Sequence, residues 1–498
     1  MQSIRSYLPR LEKHSSLQFM VLVFGLALLV RFYRLAYFPL WLDEIYGYEL
    51  GHLGIAGIFR NSLNDPHPPL YYMIQWIAAG FGSVHHEVAW RWLPALSGAF
   101  TVAIVYQLAR MQASPISAAL VGVLFAFSPM HLYFSQEARS FAFVTLLSAV
   151  SMLLLEYLQQ SSQNRGLWVS HFSVSLLGIY CSYSYVLVIS MQLLYLVMVE
   201  RRRQTVMRYA LLFGVCCLPL VVPFWITLSS VTVEHATTPR TSFLQIVQAI
   251  LGGDPVRYGF SWAHSWLLGI TALLVGIGVY SRRTSGSRTL TMYYTTQCVL
   301  PFLLFFGVLV PLFKINLILT EAKQFMLLLP AWFVLVARGI EYVRYTGSLK
   351  ILQSILVVLY AVTLFASTER IQRYWEVSKS PEGLIVREIE RHMQADDVIV
   401  SLHYSLNAAL SFYMPDTRTF AYPQQDKASY LFRYMNDDID PKQDQVIHLE
   451  TVRSHQRIWL LTHPSNAQEV IQAITHGCSI DQEWNYSPFH LTLLRNCV

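Results

Sequence analysis

Charge is what this chain has least of. Lys, Arg, Asp and Glu make up 13% of its 498 residues, against roughly 25% in soluble globular domains. That shortage excludes an ordinary soluble protein, and with it a disordered chain, a collagen or a coiled coil. Cysteine is sparse too: six in all, too few to staple a chain of this length. Cys181, Cys216, Cys217 and Cys298 fall in apolar runs, where a reduced, packed thiol is expected. Cys478 and Cys497 lie in a polar tail. There is no phosphate-binding glycine loop, dinucleotide fingerprint, nucleophile elbow or zinc motif. No internal repeat stands out, and no nucleic-acid partner is expected.

What is there is apolar. Hydrophobic residues are 54% of the chain and mean hydropathy is +0.39. A helix needs about 20 apolar residues to cross the hydrocarbon core. Eleven stretches are long enough or nearly so: 17–37, 90–109, 116–134, 140–158, 167–182, 184–199, 208–229, 264–280, 291–313, 324–340 and 350–368, the fifth and sixth being open to merging. The first is expected to be a retained helix, because no small-residue cleavage site follows it. With the N-terminus in the cytoplasm, alternate loops hold 15 of the 25 basic residues found before residue 371. That obeys the positive-inside rule and puts the tail outside.

Two chemically different parts follow. Residues 1–370 hold 25 Lys and Arg against 14 Asp and Glu, whereas 371–498 hold 11 against 16. The expected architecture is a polytopic α-helical membrane domain over 1–370 and a small extracytoplasmic α/β domain over 371–498. In the tail, 385–393 has helical spacing, 397–402 and 457–462 read as strands, and 479–484 with 489–494 could form a hairpin. That hairpin would bring Cys478 opposite Cys497, as a disulfide or as two free thiols.

The acids of the membrane part cluster. Asp43, Glu44, Glu49, Asp65 and Glu87 all lie between Trp41 and Trp90, an expected outer loop with amphipathic surface helices over 45–59 and 70–81. A second outer loop, 230–263, carries Arg240, Asp254 and Arg257. Adjacent carboxylates Asp43 and Glu44 imply water, a cation or a reaction; they fit a general base or an ordinary solvated loop. Asp65-Pro66-His67-Pro68-Pro69 fixes Asp65 and His67 on stiff backbone, either for positioning or as a rigid turn before a helix. With Asp43 they could also hold a divalent metal, although no ligand spacing marks one. Arg91, Arg139 and Lys323 fall on the outer side, against the charge bias; a phosphate there would explain them. Arg31 and Arg34 fit the same role or plain snorkelling to headgroups. Asp438-Ile439-Asp440 has a metal-binding form, but reads as a solvated acidic turn.

The order of these strings resembles the C-type glycosyltransferases, and within them the branch of protein O-mannosyltransferases and the aminoarabinose transferase of lipid A. The resemblance rests on Trp41-Leu42-Asp43-Glu44, Asp65-x-His67-Pro68-Pro69-Leu70, Arg91, Ser135-Gln136-Glu137-Ala138-Arg139 and the 323–330 segment. It implies an inverting transferase in the plasma (inner) membrane that moves a sugar from a polyisoprenyl-phosphate carrier to a lipid, glycan or protein hydroxyl on the outer face. Asp43 would be the base and Glu44 would orient it. Asp65, His67, Tyr72, Arg91 and Glu137 would shape the substrate pocket, and Arg139 and Lys323 would hold the phosphate. Relatives usually carry Arg where this chain has Lys323, and lysine keeps the charge but loses the bidentate fork. No cofactor is required beyond a possible divalent metal. The alternative function is a transporter or flippase of lipid-linked glycans. It would place ionisable residues inside several helices and show repeated halves, whereas here the acids are expected almost wholly in loops.

Overall fold

The computed structural model describes residues 2–62, 65, 67–82, 84–199, 203–234, 262–280, 293–295, 297, 322–345, 354, 358, 362, 381–417, 419–421, 455–464 and 468–497. The expected spans 291–313 and 350–368 lie almost wholly outside these residues, as do Arg240, Asp254, Arg257, Cys298 and Asp438-Ile439-Asp440. The chain divides into two units. The first comprises Met1–Leu35, Ser62–Gln75 and Trp90–Gln372, the second Ala36–Asn61, Trp76–Ala89 and Arg373–Val498.

The first unit is helical because an apolar chain in lipid must satisfy its backbone groups within itself. Among the described residues, Glu87–Arg110, Phe141–Gln160, Arg203–Trp225 and Lys323–Val343 are helical stretches long and apolar enough to cross a membrane. Shorter apolar helices accompany them, and the protein is an integral membrane protein. The expected straight span 116–134 is instead a pair, Pro115–Ala126 and Pro129–Ser135, bent by 59°. Pro129 drives Ser128 out of the helical region, to ψ 118°. The doubtful fifth and sixth spans are two helices, Arg165–Cys181 and Val186–Val199, separated at an extended Ser182 and a 3-10 turn Tyr183–Tyr185. The Gln2–Phe32 helix stops five residues short of the expected end, and Arg34 has φ 54°.

Two buried polar ties depart from expectation. Arg31 is held inside the protein rather than extended to its surface: it is fully buried, donating through Nη1 to Ala126 O at 3.2 Å and through Nη2 to His131 Nδ1 at 2.8 Å. Gly98 makes room for it, since a Cβ there would collide with Ser135 and with Arg31 Nε. Glu156 is an acid within a membrane helix rather than a loop. It is almost fully buried and accepts from Tyr294 Oη at 2.5 Å and Gln112 Nε2 at 3.3 Å.

The second unit is built on a five-stranded sheet: β1 Val398–Ser401, β2 Thr419–Ala421, β3 Arg457–Thr462, β4 Ser479–Tyr486 and β5 Phe489–Arg495, in the order β2-β1-β3-β5-β4. β1 runs parallel to β2 and β3, with Val400 opposite Leu460. β5 is antiparallel to both β3 and β4. Val398, Val400, Ile458, Leu460, Ile474 and Leu494 form its core. Cys478 and Cys497 are joined as a disulfide across the base of the β4–β5 hairpin. The expected surface helix 45–59 is two helices, Leu42–His52 and Gly54–Ser62, broken where Gly54 takes φ +66°. The first does not lie open: Glu44, Ile45, Tyr46, Gly47, Tyr48, Leu50 and Gly51 are buried.

Candidate active site

In the first unit the site is assembled around the turn 135–139, between the Pro129–Ser135 and Phe141–Gln160 helices. Backbone carbonyls at a helix C-terminus have no partner inside the helix. The Gln136 side chain supplies one, donating to Arg31 O at 3.1 Å and Tyr33 O at 2.9 Å. Gln75 donates from the Leu70–Ala78 helix to Ala138 O at 2.8 Å and to Trp90 O at 3.3 Å. The turn is thereby tied to the end of the first helix and to the Leu70–Ala78 helix, and it carries Glu137 and Arg139, both buried.

Asp65 closes its own loop. Its Oδ1 accepts from His67 N at 2.7 Å and from the Tyr72 hydroxyl at 3.2 Å, and Oδ2 lies 3.3 Å from the same hydroxyl. The His67 ring meets Phe141 edge-on, centroids 5.9 Å apart, and Lys323 Nζ stands 5.5 Å from the centre of that same ring. Burial, then the positive charges of Arg139 and of Lys323, push the His67 imidazole well below its usual range. His67 is therefore neutral near pH 7, with Lys323 against the same Phe141 ring and the charge of Arg139 acting on it. Ser148 donates to Leu327 O at 2.7 Å, fixing the 3-10 segment Ala322–Leu328 that presents Lys323.

Tyr183 was not singled out from the sequence. It is buried, its hydroxyl has no hydrogen-bond partner among the described residues, and the charge of Asp65 reaches it. The signal for it is the polar break Cys181-Ser182-Tyr183-Ser184 inside an apolar run. Arg91 is almost wholly buried, with Nη1 donating to Leu35 O at 3.1 Å, so part of its guanidinium secures the end of the first-helix turn.

Asp43 and Glu44 belong to the second unit. They occupy the first turn of the Leu42–His52 helix, where free N–H groups favour negative charge. Glu44 is fully buried and its Oε2 accepts from Trp41 N at 3.2 Å, closing the helix start; Asp43, one residue earlier, is only half-buried. The structure thus brings Asp65, His67, Tyr72, Arg139 and Lys323 together in one unit and holds Asp43 with Glu44 in the other. Among the described residues no group of three His, Cys, Asp or Glu side chains is placed to share a metal ion.

The comparisons with known proteins bear on this arrangement. The family described as dolichyl-phosphate-mannose-protein mannosyltransferase matches residues 66–226. The crystal structure of ArnT from Cupriavidus metallidurans in the apo state aligns with 95% of this chain and 97% of its own, at TM-score 0.63 and 14% identity. The chain has the C-type glycosyltransferase fold. The same ArnT bound to undecaprenyl phosphate aligns over the same shares at TM-score 0.59 and 14% identity. No curated protein sequence matches the chain. Within this C-type fold the family match takes in His67, Tyr72, Arg91, Glu137, Arg139 and Tyr183, and leaves out Asp43, Glu44, Asp65 and Lys323.

Proposed function

We propose that the protein is a membrane glycosyltransferase that moves a sugar from a polyisoprenyl-phosphate carrier to an acceptor hydroxyl on the extracytoplasmic face, with inversion at the anomeric carbon. The observation that carries this reading is that His67 and Lys323 both stand against the Phe141 ring, with the buried Arg139 in the turn, two residues before Phe141. Two cations around a neutral imidazole suit a phosphate whose charge grows as the reaction proceeds. Asp43 takes the acceptor proton, the acceptor oxygen bonds to the anomeric carbon, and the bond from that carbon to the phosphate oxygen breaks. The singly charged phosphodiester leaves as a polyprenyl monophosphate with one more negative charge, which Arg139 and Lys323 hold. Neutral His67 can donate one hydrogen bond without adding a charge, and the Tyr183 hydroxyl can donate another.

Two facts support the assignment. The relative that aligns over nearly all of its length has been crystallised with undecaprenyl phosphate. The Cys478–Cys497 disulfide suits an oxidising compartment, which agrees with a tail outside the cytoplasm. A divalent metal is not required by this scheme.

The test is purified protein in nanodiscs with a panel of polyprenyl-phosphate sugars, following release of the lipid phosphate, with Asp43→Asn alongside. Release with one sugar that disappears in the variant is expected. Full activity of Asp43→Asn would remove the base. No turnover of any donor, together with passage of a labelled lipid-linked glycan across proteoliposomes, would make the protein a transporter.

A further inference from the structure

In the second unit several polar ties between segments far apart in sequence flank Asp43. On the N-terminal side, the Tyr413 hydroxyl accepts from Leu40 N at 2.6 Å and donates to Glu87 Oε1 at 3.1 Å. Arg387 Nη2 donates to the same Glu87 oxygen at 2.6 Å and Nη1 donates to Tyr37 O at 3.3 Å. On the C-terminal side, Ser411 Oγ donates to Glu49, and the Tyr48 hydroxyl donates to Ser411 O at 3.4 Å. The Tyr48 ring stands edge-on to Phe412 with centroids 4.8 Å apart, and His85 Nδ1 donates to Phe412 O at 2.9 Å.

Tyr413, Ser411 and Phe412 belong to one helix, Tyr404–Tyr413, and Arg387 to another, Pro381–His392. Both are in the C-terminal part of the chain. They grip Tyr37 and Leu40 before Asp43, and Tyr48 and Glu49 on the helix after it. Glu87, the hub of the upstream grip, is buried, as are Glu44, Tyr48 and Leu40.

We infer that the C-terminal domain is a working part of the transferase, with Tyr413, Glu87 and Arg387 acting as positioning residues that fix where the Asp43 carboxylate stands. This rests on Asp43 being the base. A general base must meet its proton at hydrogen-bond distance, and an error of about 1 Å can cost roughly 100-fold in rate. Lipid-donor binding draws on cations in the other unit, so the clamp acts on turnover rather than on donor affinity.

The experiment compares Tyr413→Phe, Arg387→Glu and the swap Glu87→Arg with Arg387→Glu in the full-length protein, using the polyprenyl-phosphate sugar that the unaltered protein turns over. Hydrogen exchange over residues 36–52 is read in parallel. Tyr413→Phe keeps the ring and its packing, so the thermal midpoint is expected to stay near that of the unaltered protein. Exchange over 36–46 is expected to quicken, and kcat to fall roughly 10- to 100-fold with donor KM unchanged. Arg387→Glu should do the same, and the swap should recover at least part of the loss. Unaltered kcat in both single variants overturns the inference, as does a fall matched by an equal rise in donor KM. If Asp43→Asn is itself fully active, the base reading has failed. The exchange data then still decide whether the clamp holds the segment.

Discussion

Replacing Arg139 by glutamine tests the phosphate site most directly. Arg139 is 8% exposed, so its interaction with a bound phosphate is largely shielded from water. A hydrogen bond to a charged group in such a place contributes about 1.5 to 3 kcal/mol. At about 1.4 kcal/mol per decade, Arg139→Gln should lower kcat/KM for the lipid donor by roughly 10- to 150-fold. The structure adds a pH signature. In the unaltered protein His67 is held neutral by burial first, then by Arg139 and Lys323. Removing Arg139 lifts one of these restraints, and the imidazole titrates at higher pH than before. As pH falls, His67 in the variant takes up a proton and supplies a positive charge close to the one removed. Burial and Lys323 still hold that proton uptake below the usual histidine range, so the ratio of the two kcat/KM values should stay level from about pH 8 to 6.5 and shrink only at lower pH. Protonation of the base cancels in that ratio, because both proteins carry the same Asp43. Release of polyprenyl phosphate, measured against donor concentration at several pH values, gives both numbers. Unchanged kcat/KM would remove Arg139 from the site, and a large defect with a flat ratio would refute the coupling to His67.

Two further outcomes concern stability. Gly98→Ala places a Cβ against Ser135 and Arg31 Nε, and overpacking of this kind costs about 1 to 3 kcal/mol; a lowered thermal midpoint in detergent checks it, and an unchanged one would show that the Arg31 pocket yields. In the second unit, burial and then the charge of His463 press the His403 imidazole down to about 4. The unfolded chain binds this proton near pH 6.5 and the folded one only near pH 4, so stability falls as pH drops through that interval. His403→Gln should flatten the pH dependence of denaturant unfolding there, and an unaltered slope would count against the assignment.

The parts legible in the sequence were those whose cause is local. The apolar run 457–462 is β3 residue for residue, because nothing but burial shapes it. The stretch 140–158 appears as Phe141–Gln160 for the same reason. The hairpin expected over 479–484 and 489–494 forms, and so does the disulfide that one of its two readings foresaw. Asp65, His67 and Tyr72 meet within eight residues, so their string announces their contact. What periodicity misses is long-range. Leu40 and Tyr413 are bonded across 373 positions, and no hydropathy window of twenty residues contains that fact. Arg31 was misplaced because a cation at a helix end ordinarily reaches for headgroups. Its actual partners, Ala126 O and His131, are set by how three helices cross. Gln75 was hidden inside an apolar run, where a lone polar residue carries no pattern of its own, and Tyr183 was marked only by the short polar break 181–184.

The Arg31 tie also bears on how the chain is made. The first helix reaches the bilayer long before residues 126 and 131 have been synthesised, so its guanidinium enters without the carbonyl and the imidazole that later receive it. A bare arginine at the end of a membrane helix costs less than the roughly 2.5 to 3.5 kcal/mol of one at its centre, yet without partners it still favours a position where the guanidinium reaches water or headgroups. Until those partners arrive, the first helix is driven to sit shifted toward the water. Arrival of the bent Pro115–Ser135 pair then draws it to its final depth. The first element to be inserted is the one that finishes settling only after its neighbours are in place, and a chain truncated before residue 126 should leave that helix in the wrong register.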